Sequence, residues 1–565
     1  MRTLPQIINQ IFSSEPNKTA IIFQQRGKPD QVITYQDLYN NALRYAQALH
    51  QNQIQPNEVV IIVLQHCEEL IYTFFGAMFA GAVPSIMPFL TEKLSPDHYR
   101  LSLRSLFDVI RPAAVITYAG FEGEIRVAAK NSSVRKILTV EKIALRDSDI
   151  NELPGLRGDP KSIAFLQHSS GTTGLQKGVA LSHQAVLRQL EAYQKAIFLT
   201  SSDVIVSWLP LYHDMGLIAG FLMPILLKVP LVLISPFDWV RSPVLLMRAI
   251  DQYHGTLTWL PNFAYNFCAQ KIRPSDMEGI DLSSLRAVIN CSEPMAHSSH
   301  QLFLQRFEPY GFKPSALATC YAMAENVFAV SQDGIEKPVT LDWIDRRSFL
   351  VDKIAQPNFH GTDAICMVSA GKPIENTQVR ILDAQGKGSP ERTIGEIAIK
   401  SDCMLEEYYK RPDLTKAAFL DGWYLTGDLG YIADGEIYIT GRKKDLIIVG
   451  GKNIYPQDIE RIANEVEGVY PGRVVAFGVF NENIGTEEVV VLAETEEKNP
   501  ERRIEIADRI CYQVNRSSDI VLRKAMLVDR GWLLKTSSGK IARAANRDKY
   551  LREIQGREPL ASSTE

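Results

Sequence analysis

SIAFLQHSSGTTGLQKGV, Ser162–Val179, is the stretch on which the reading of this chain turns. Ile163–Gln167 has the short apolar character of a strand. It runs into hydroxyl residues on both sides of a glycine: Ser169 and Ser170 before Gly171, Thr172 and Thr173 after it. Gly171, Gly174 and Gly178 let the backbone approach a ligand, and exposed N–H groups beside hydroxyls can receive phosphate oxygens. Lys177 adds a positive charge. The G-x-x-x-x-G-K-[ST] spacing is absent, so this is a different device from the P-loop. The stretch predicts a phosphate cradle at the end of a strand.

Working outward, the flanking sequence alternates helix and strand patterns. Tyr35–His50 has apolar residues at helical spacing, while Val59–Leu64 and Ala113–Thr117 are continuous apolar runs. The runs continue at Val204–Leu209, Val229–Ile234, Thr256–Leu260 and Ala287–Asn290. Such runs between helices suit a sheet covered on both faces. Ile71–Leu90 and Gly216–Ile234 approach membrane-span length. Pro84, Pro88, Pro224, Lys228 and Pro230 break them, which fits a buried helix running into a buried strand and no membrane span.

Beyond about Gly395 the texture becomes short strands separated by Gly-Asp and Asp-Gly turns, with Asp428 placed in one of those turns. The last hundred or so residues pattern as α+β: an apolar helical stripe at Ile459, Ile462, Ala463 and Val466, strands at Val474–Val479 and Glu488–Ala493, and a helix near Arg502–Val514. The expected fold is therefore an α/β body of several subdomains, residues 1–441, joined by a hinge at 442–446 to a small mobile α+β domain, residues 447–565.

Composition excludes several classes. The chain has 565 residues, too many for one core, with 45% hydrophobic and 22% charged residues. A net charge of -4 gives no nucleic-acid surface. Ten scattered histidines offer no zinc spacing, and seven sparse cysteines fit free thiols in a reducing compartment. The first twenty residues lack the apolar core of a signal peptide, so a cytoplasmic location is expected.

Further motifs follow the phosphate stretch in order: Asn290-Cys291-Ser292-Glu293-Pro294, Tyr321-Ala322-Met323-Ala324-Glu325, Leu425-Thr426-Gly427-Asp428, Gly441-Arg442-Lys443-Lys444-Asp445 and Ser537-Ser538-Gly539-Lys540. With these the chain resembles the adenylate-forming superfamily over nearly its whole length. That resemblance implies ATP and Mg²⁺ as cofactors and a carboxylate converted to an acyl adenylate plus pyrophosphate. It implies nucleotide contacts from Ser169, Ser170, Gly171, Thr172, Thr173, Gly174, Cys291, Ser292, Glu293, Tyr321, Ala322 and Met323. Tyr321 would pack on adenine, Asp428 grip the ribose hydroxyls and Arg442 reach the nucleotide. Glu325 and Thr172 would hold the metal, Lys444 would be the pivot, and Lys540 and Lys177 the catalytic lysines. The electrostatics are coherent: a carboxylate must approach a polyanion, and cations at both partners offset the repulsion.

Within the superfamily, Trp208–Gly216 (WLPLYHDMG) and Lys443–Glu460, ending Tyr-Pro-Gln-Asp-Ile-Glu, look like the fatty acyl-AMP ligases. So does extra length between Glu325 and Gly371, including Asp342–Asp352 (DWIDRRSFLVD), a segment that in those relatives restrains the small domain. Ala322 stands where a Gly is common and Cys291-Ser292 replaces the usual Gly-Ala; these residues are small too, so a nucleotide pocket survives sterically. The resemblance implies a medium- or long-chain fatty acid as substrate and an acyl-carrier protein as acceptor, with CoA as the alternative. Trp208, His213, Met215, Phe221, Trp259, Phe263, Tyr265 and Phe267 supply an aromatic and apolar wall for the acid, and His213, beside Asp214 in a loop, is expected to shape the pocket mouth.

Overall fold

The computed structural model describes residues 2–90, 96–143, 153–169, 177–359, 363–449, 452–481, 486–517, 521–536 and 539–556. Two large sheets form the body. One has nine strands, in the order 372–373, 329–333, 317–322, 287–291, 257–260, 205–207, 231–234, 19–24 and 31–34. Its centre is parallel and its two margins antiparallel. The other has seven strands, in the order 407–408, 177–182, 163–169, 83–86, 59–62, 114–117 and 136–139. The central runs are buried on both faces, which is why they read as unbroken Val/Ile/Leu stretches.

Helix Glu68–Phe79 is buried from Leu70 onward. Gly76 lets it lie directly on helix Tyr35–Gln51, since a Cβ there would stand 2.5 Å from the Cβ of Tyr45. The segment Met215–Leu222 is a buried π-helix that passes into helix Met223–Leu227 and then strand Leu231–Ile234. Both hydropathy-rich stretches are thus core elements. Among the described residues no helix is long and apolar enough to cross a membrane.

A five-stranded antiparallel sheet follows, with Trp423–Ala433 at its heart. Here the turn expected at Asp428 is corrected: Asp428 lies inside that eleven-residue strand. Gly427, at φ 70°, and a register shift between Leu429 and Gly430 give the strand its local kink, which in sequence imitates a turn. The C-terminal part has an antiparallel hairpin, Ile447–Val449 with Lys452–Ile454, and a three-stranded sheet, Val474–Asn481, Thr486–Thr495 and Lys524–Asp529. Its two apolar clusters draw only on residues after 446. The fold is the expected mixed α/β body with a smaller α+β C-terminal part.

Candidate active site

Strand Leu317–Ala322 delivers Tyr321 to the body's rim, and the 3₁₀ turn Ala324–Asn326 sets Glu325 just beyond it. Val327 follows at φ 61°, an unusual conformation for a β-branched residue. It is pinned from both sides: Asn326 donates to the Ala329 carbonyl at 2.7 Å, Ser401 donates to Asn326 at 2.6 Å, and Phe328 N–H donates to Gln189 at 3.3 Å. Strain held this firmly is characteristic of a functional turn.

Two polar clusters meet here. In the first, Tyr321 donates its hydroxyl hydrogen to Asp428 at 2.6 Å, and Arg442 pairs with the other Asp428 oxygen at 3.0 Å. Asp428 and Arg442 are register partners across the strands Trp423–Ala433 and Glu436–Arg442, so the sheet itself fixes their pairing. In the second, Glu325 is buried and accepts from Tyr408 at 2.9 Å, and Tyr408 shares a 2.8 Å hydrogen bond with Tyr424. Lys177 sits over the Tyr408 ring, 4.7 Å from its centroid. Burial pushes the Glu325 carboxyl up, and the Tyr408 hydrogen bond counters it.

Among the described residues no group of three His, Cys, Asp or Glu side chains could hold a metal by itself. Glu325 alone fits a Mg²⁺ ion that takes most of its other ligands from phosphates and water. Thr172, together with Ser170, Gly171, Thr173 and Gly174, lies outside the described residues; Ser169 ends strand Ile163–Ser169, paired with Lys177.

The side expected to receive the acid is built differently. Strand Ile205–Ser207 leads through Trp208 to His213 and Asp214. Burial, and next the Lys540 charge, push His213 down to about 3, so its imidazole is neutral. Burial raises the Asp214 carboxyl, and Lys540 partly offsets that. Lys540 is therefore brought from the C-terminal part to the acid side of the body. Its loop is closed by Thr536 N–H donating to the Lys540 carbonyl at 2.7 Å, with Gly539 at φ 85° against the Phe263 ring.

Of the expected aromatic wall, Trp208, Phe263 and Phe267 cluster with Trp239. Phe221 packs on Phe74 and Phe75 in the core. Tyr265 is spent on the Val288 carbonyl and Trp259 on Tyr193. Cys291 is buried at the end of strand Ala287–Cys291, and Ser292 takes φ 70°. Glu293 accepts from Phe263 N–H at 2.9 Å, so it holds the start of helix Asn262–Lys271. Ala322 pairs with Ala329 and Met323 N–H donates to Phe328, so both shape the turn around Glu325.

The sequence reading missed Tyr408, Tyr424 and Trp239. Tyr408-Tyr409 ahead of Lys410-Arg411-Pro412 was a visible signal, two aromatics in a polar stretch, but its partner Glu325 lies 83 residues away.

A family model described as "AMP-binding enzyme" matches residues 9–409. The chain belongs to that family. This AMP-binding enzyme is 29% identical over 575 residues to the medium-chain-fatty-acid–[acyl-carrier-protein] ligase JamA of Moorena producens, covering 97% of this chain and 95% of that one. It is 27% identical over 578 residues to the long-chain-fatty-acid–AMP ligase FadD26 of Mycobacterium tuberculosis, covering 97% of each. Its fold superposes with a TM-score of 0.90, at 27% identity and 98% coverage of both chains, on a structure from work on fatty acyl-adenylate ligases from E. coli and L. pneumophila. The AMP-binding family and its adenylate-forming fold carry ATP and Mg²⁺ use with them.

Proposed function

We propose that this enzyme activates a medium- or long-chain fatty acid as its acyl-AMP, releasing pyrophosphate, and then passes the acyl group to an acyl-carrier protein. The observation that carries the reading is the Lys540 loop, seated by Gly539 on the Phe263 ring with its charge acting on His213 and Asp214, together with the completed Tyr321–Asp428–Arg442 cluster. In this reading Asp428 accepts from the ribose hydroxyls, Lys177 faces the phosphates, and the nucleotide-lining residues are those from Ser169 to Gly174, Cys291 to Glu293 and Tyr321 to Met323. Glu325, with Thr172, would hold Mg²⁺, which offsets phosphate charge when bound. Lys540 bridges the acid's carboxylate and the α-phosphate, where charge redistributes in the transition state. Neutral His213 borders the carboxylate without adding charge. Positioning and electrostatics suffice, and no covalent enzyme intermediate is needed.

The acceptor assignment draws on the segment between Glu325 and Gly371. It forms a hairpin, Leu341–Asp345 with Ala364–Val368, and a short π-helical turn, Ser348–Asp352. Asp342 anchors it to the body through Arg392 at 2.9 Å and Tyr431 at 2.8 Å. On its other side the Phe349 ring packs on Tyr455 at 5.6 Å, and the Arg346 charge acts on Asp458. A bridge of this kind restrains the part after residue 446, with 442–446 as its hinge. A restraint worth ~3 kcal/mol lowers a competing orientation more than a hundredfold. A carrier protein offers an interface to overcome that; free CoA offers less.

Because Asp342 is buried and Ile344 and Phe349 lie in one buried apolar cluster, the test uses R346A and the mild F349L in place of removing the segment. With ATP, Mg²⁺, fatty acid and CoA, intact enzyme is expected to accumulate acyl-AMP, make little acyl-CoA and load a phosphopantetheinylated carrier protein. The variants are expected to gain acyl-CoA formation. Rapid acyl-CoA formation by intact enzyme would establish the CoA ligase instead.

A further inference from the structure

The acid side holds two donors that the chemistry above leaves unused. Trp208 and Trp239 stack face to face, ring centroids 3.5 Å apart and planes 9° from parallel. Phe263 stands edge-on to both at 6.4 Å, and Phe267 lies 5.3 Å from Trp239. Phe263 is also the ring met by Gly539 and, at 5.8 Å, by the Lys535 ammonium. The stacked pair therefore belongs to the wall nearest the lysine loop.

Trp208 is 4% exposed and Trp239 0%, yet neither indole N–H has an acceptor among the described residues. Trp259 shows the ordinary arrangement: equally buried, it donates to the Tyr193 hydroxyl at 2.9 Å. Interiors rarely leave such donors unpaired, and two on one stacked pair is a pattern that asks for a ligand. A saturated tail would pack on these rings and leave both N–H groups unpaired. A tail carrying oxygen would satisfy at least one of them, and a site with buried polar groups discriminates sharply against an analogue that leaves them unpaired.

We propose that the acid this enzyme selects carries a hydrogen-bond acceptor on its tail, a hydroxyl, oxo or ether oxygen, received by the N–H edges of Trp208 and Trp239. The proposal rests on the acyl-adenylate reading above and narrows its substrate class. Trp239 is then a specificity-determining residue.

The test is ATP–pyrophosphate exchange by the full chain with matched acids: plain fatty acids and partners of equal length with a hydroxyl stepped along the chain. At least one hydroxy acid is expected to exceed its plain partner about tenfold in kcat/KM, the scale of one hydrogen bond. W239F keeps a ring but removes one donor, and the ratio is expected to fall toward one; W208F gives a second, independent reading should W239F fold poorly. Turnover of plain acids with no hydroxy partner preferred would overturn the proposal and leave the acyl-adenylate reading standing. Exchange with none of the acids would overturn both. A preference unchanged in both variants would remove the indoles as its cause.

Discussion

The proposed nucleotide side and the proposed acid side of this site are built to opposite plans. Asp428 is held on every side: Tyr321 and Arg442 take its two oxygens, and its N–H donates to Thr426 Oγ1 at 3.0 Å. On the other side, His213 Nε2 and both indole N–H groups are buried without partners among the described residues, and the Lys540 cation arrives on a loop from the C-terminal part. One side is preorganised by its own sheet; the other is completed by what enters it. The first should therefore act mainly on binding, and the second on the chemical step.

The largest effect should come from breaking the incomplete side. K540A is expected to lower kcat for adenylation by about 10² to 10³-fold while ATP affinity stays within about threefold, as for loss of a group that acts on transition-state charge. Single-turnover adenylation together with nucleotide titration checks this; wild-type rates would remove Lys540 from the chemistry. Breaking the complete side should do less. D428N retains shape but removes the charge that Arg442 faces, and is expected to raise the KM for ATP by roughly tenfold with kcat little changed. A fall in kcat with unchanged KM would erase the contrast between the two sides.

The same contrast explains what was legible in sequence. The body's strands announced themselves because buried parallel strands are continuous apolar runs, as at Val59–Ile62 and Leu231–Ile234. Asp428, Glu325 and Arg442 stood inside local motifs, and the fold sets these three near one another; Lys540, also in a motif, lies near His213 and Asp214. Tyr408, Tyr424 and Trp239 meet partners distant in the chain; the Tyr408-Tyr409 pair was a local signal, but nothing local names Glu325 or Tyr424 as its partner. The Gly427 kink misled because a bulged strand and a turn share the same Gly-Asp signature.

A last effect, on stability and not on turnover, asks whether the two sides share a weakness. His168 lies below the phosphate stretch, bonded to Ser85 at 2.6 Å, and His300 faces Asn290 at 2.9 Å behind the acid-side helix. With His183 they are buried, and burial pushes each down to about 4. The unfolded chain takes up these protons first, near pH 6.5, so their contribution to stability is whole above that pH and is lost as the pH falls toward 4. Each histidine should cost about 1.4 kcal/mol per pH unit in that window. Melting temperature followed from pH 7 to pH 5 should drop; H300Q should flatten the slope, and an unchanged slope would assign it to other groups.

Arg543 begins the helix Arg543–Glu553, three residues beyond Lys540, and grips Asp445 at 2.7 Å and both oxygens of Glu460, at 2.8 and 3.0 Å. Mechanically this is a pinned crank. Asp445 lies in the 442–446 neck and Glu460 in helix Pro456–Asn464, so the neck, that helix and the lysine loop form one lever arm. On the hinge reading proposed above, a turn at the neck would be carried to Lys540 through this arm and not lost in slack chain.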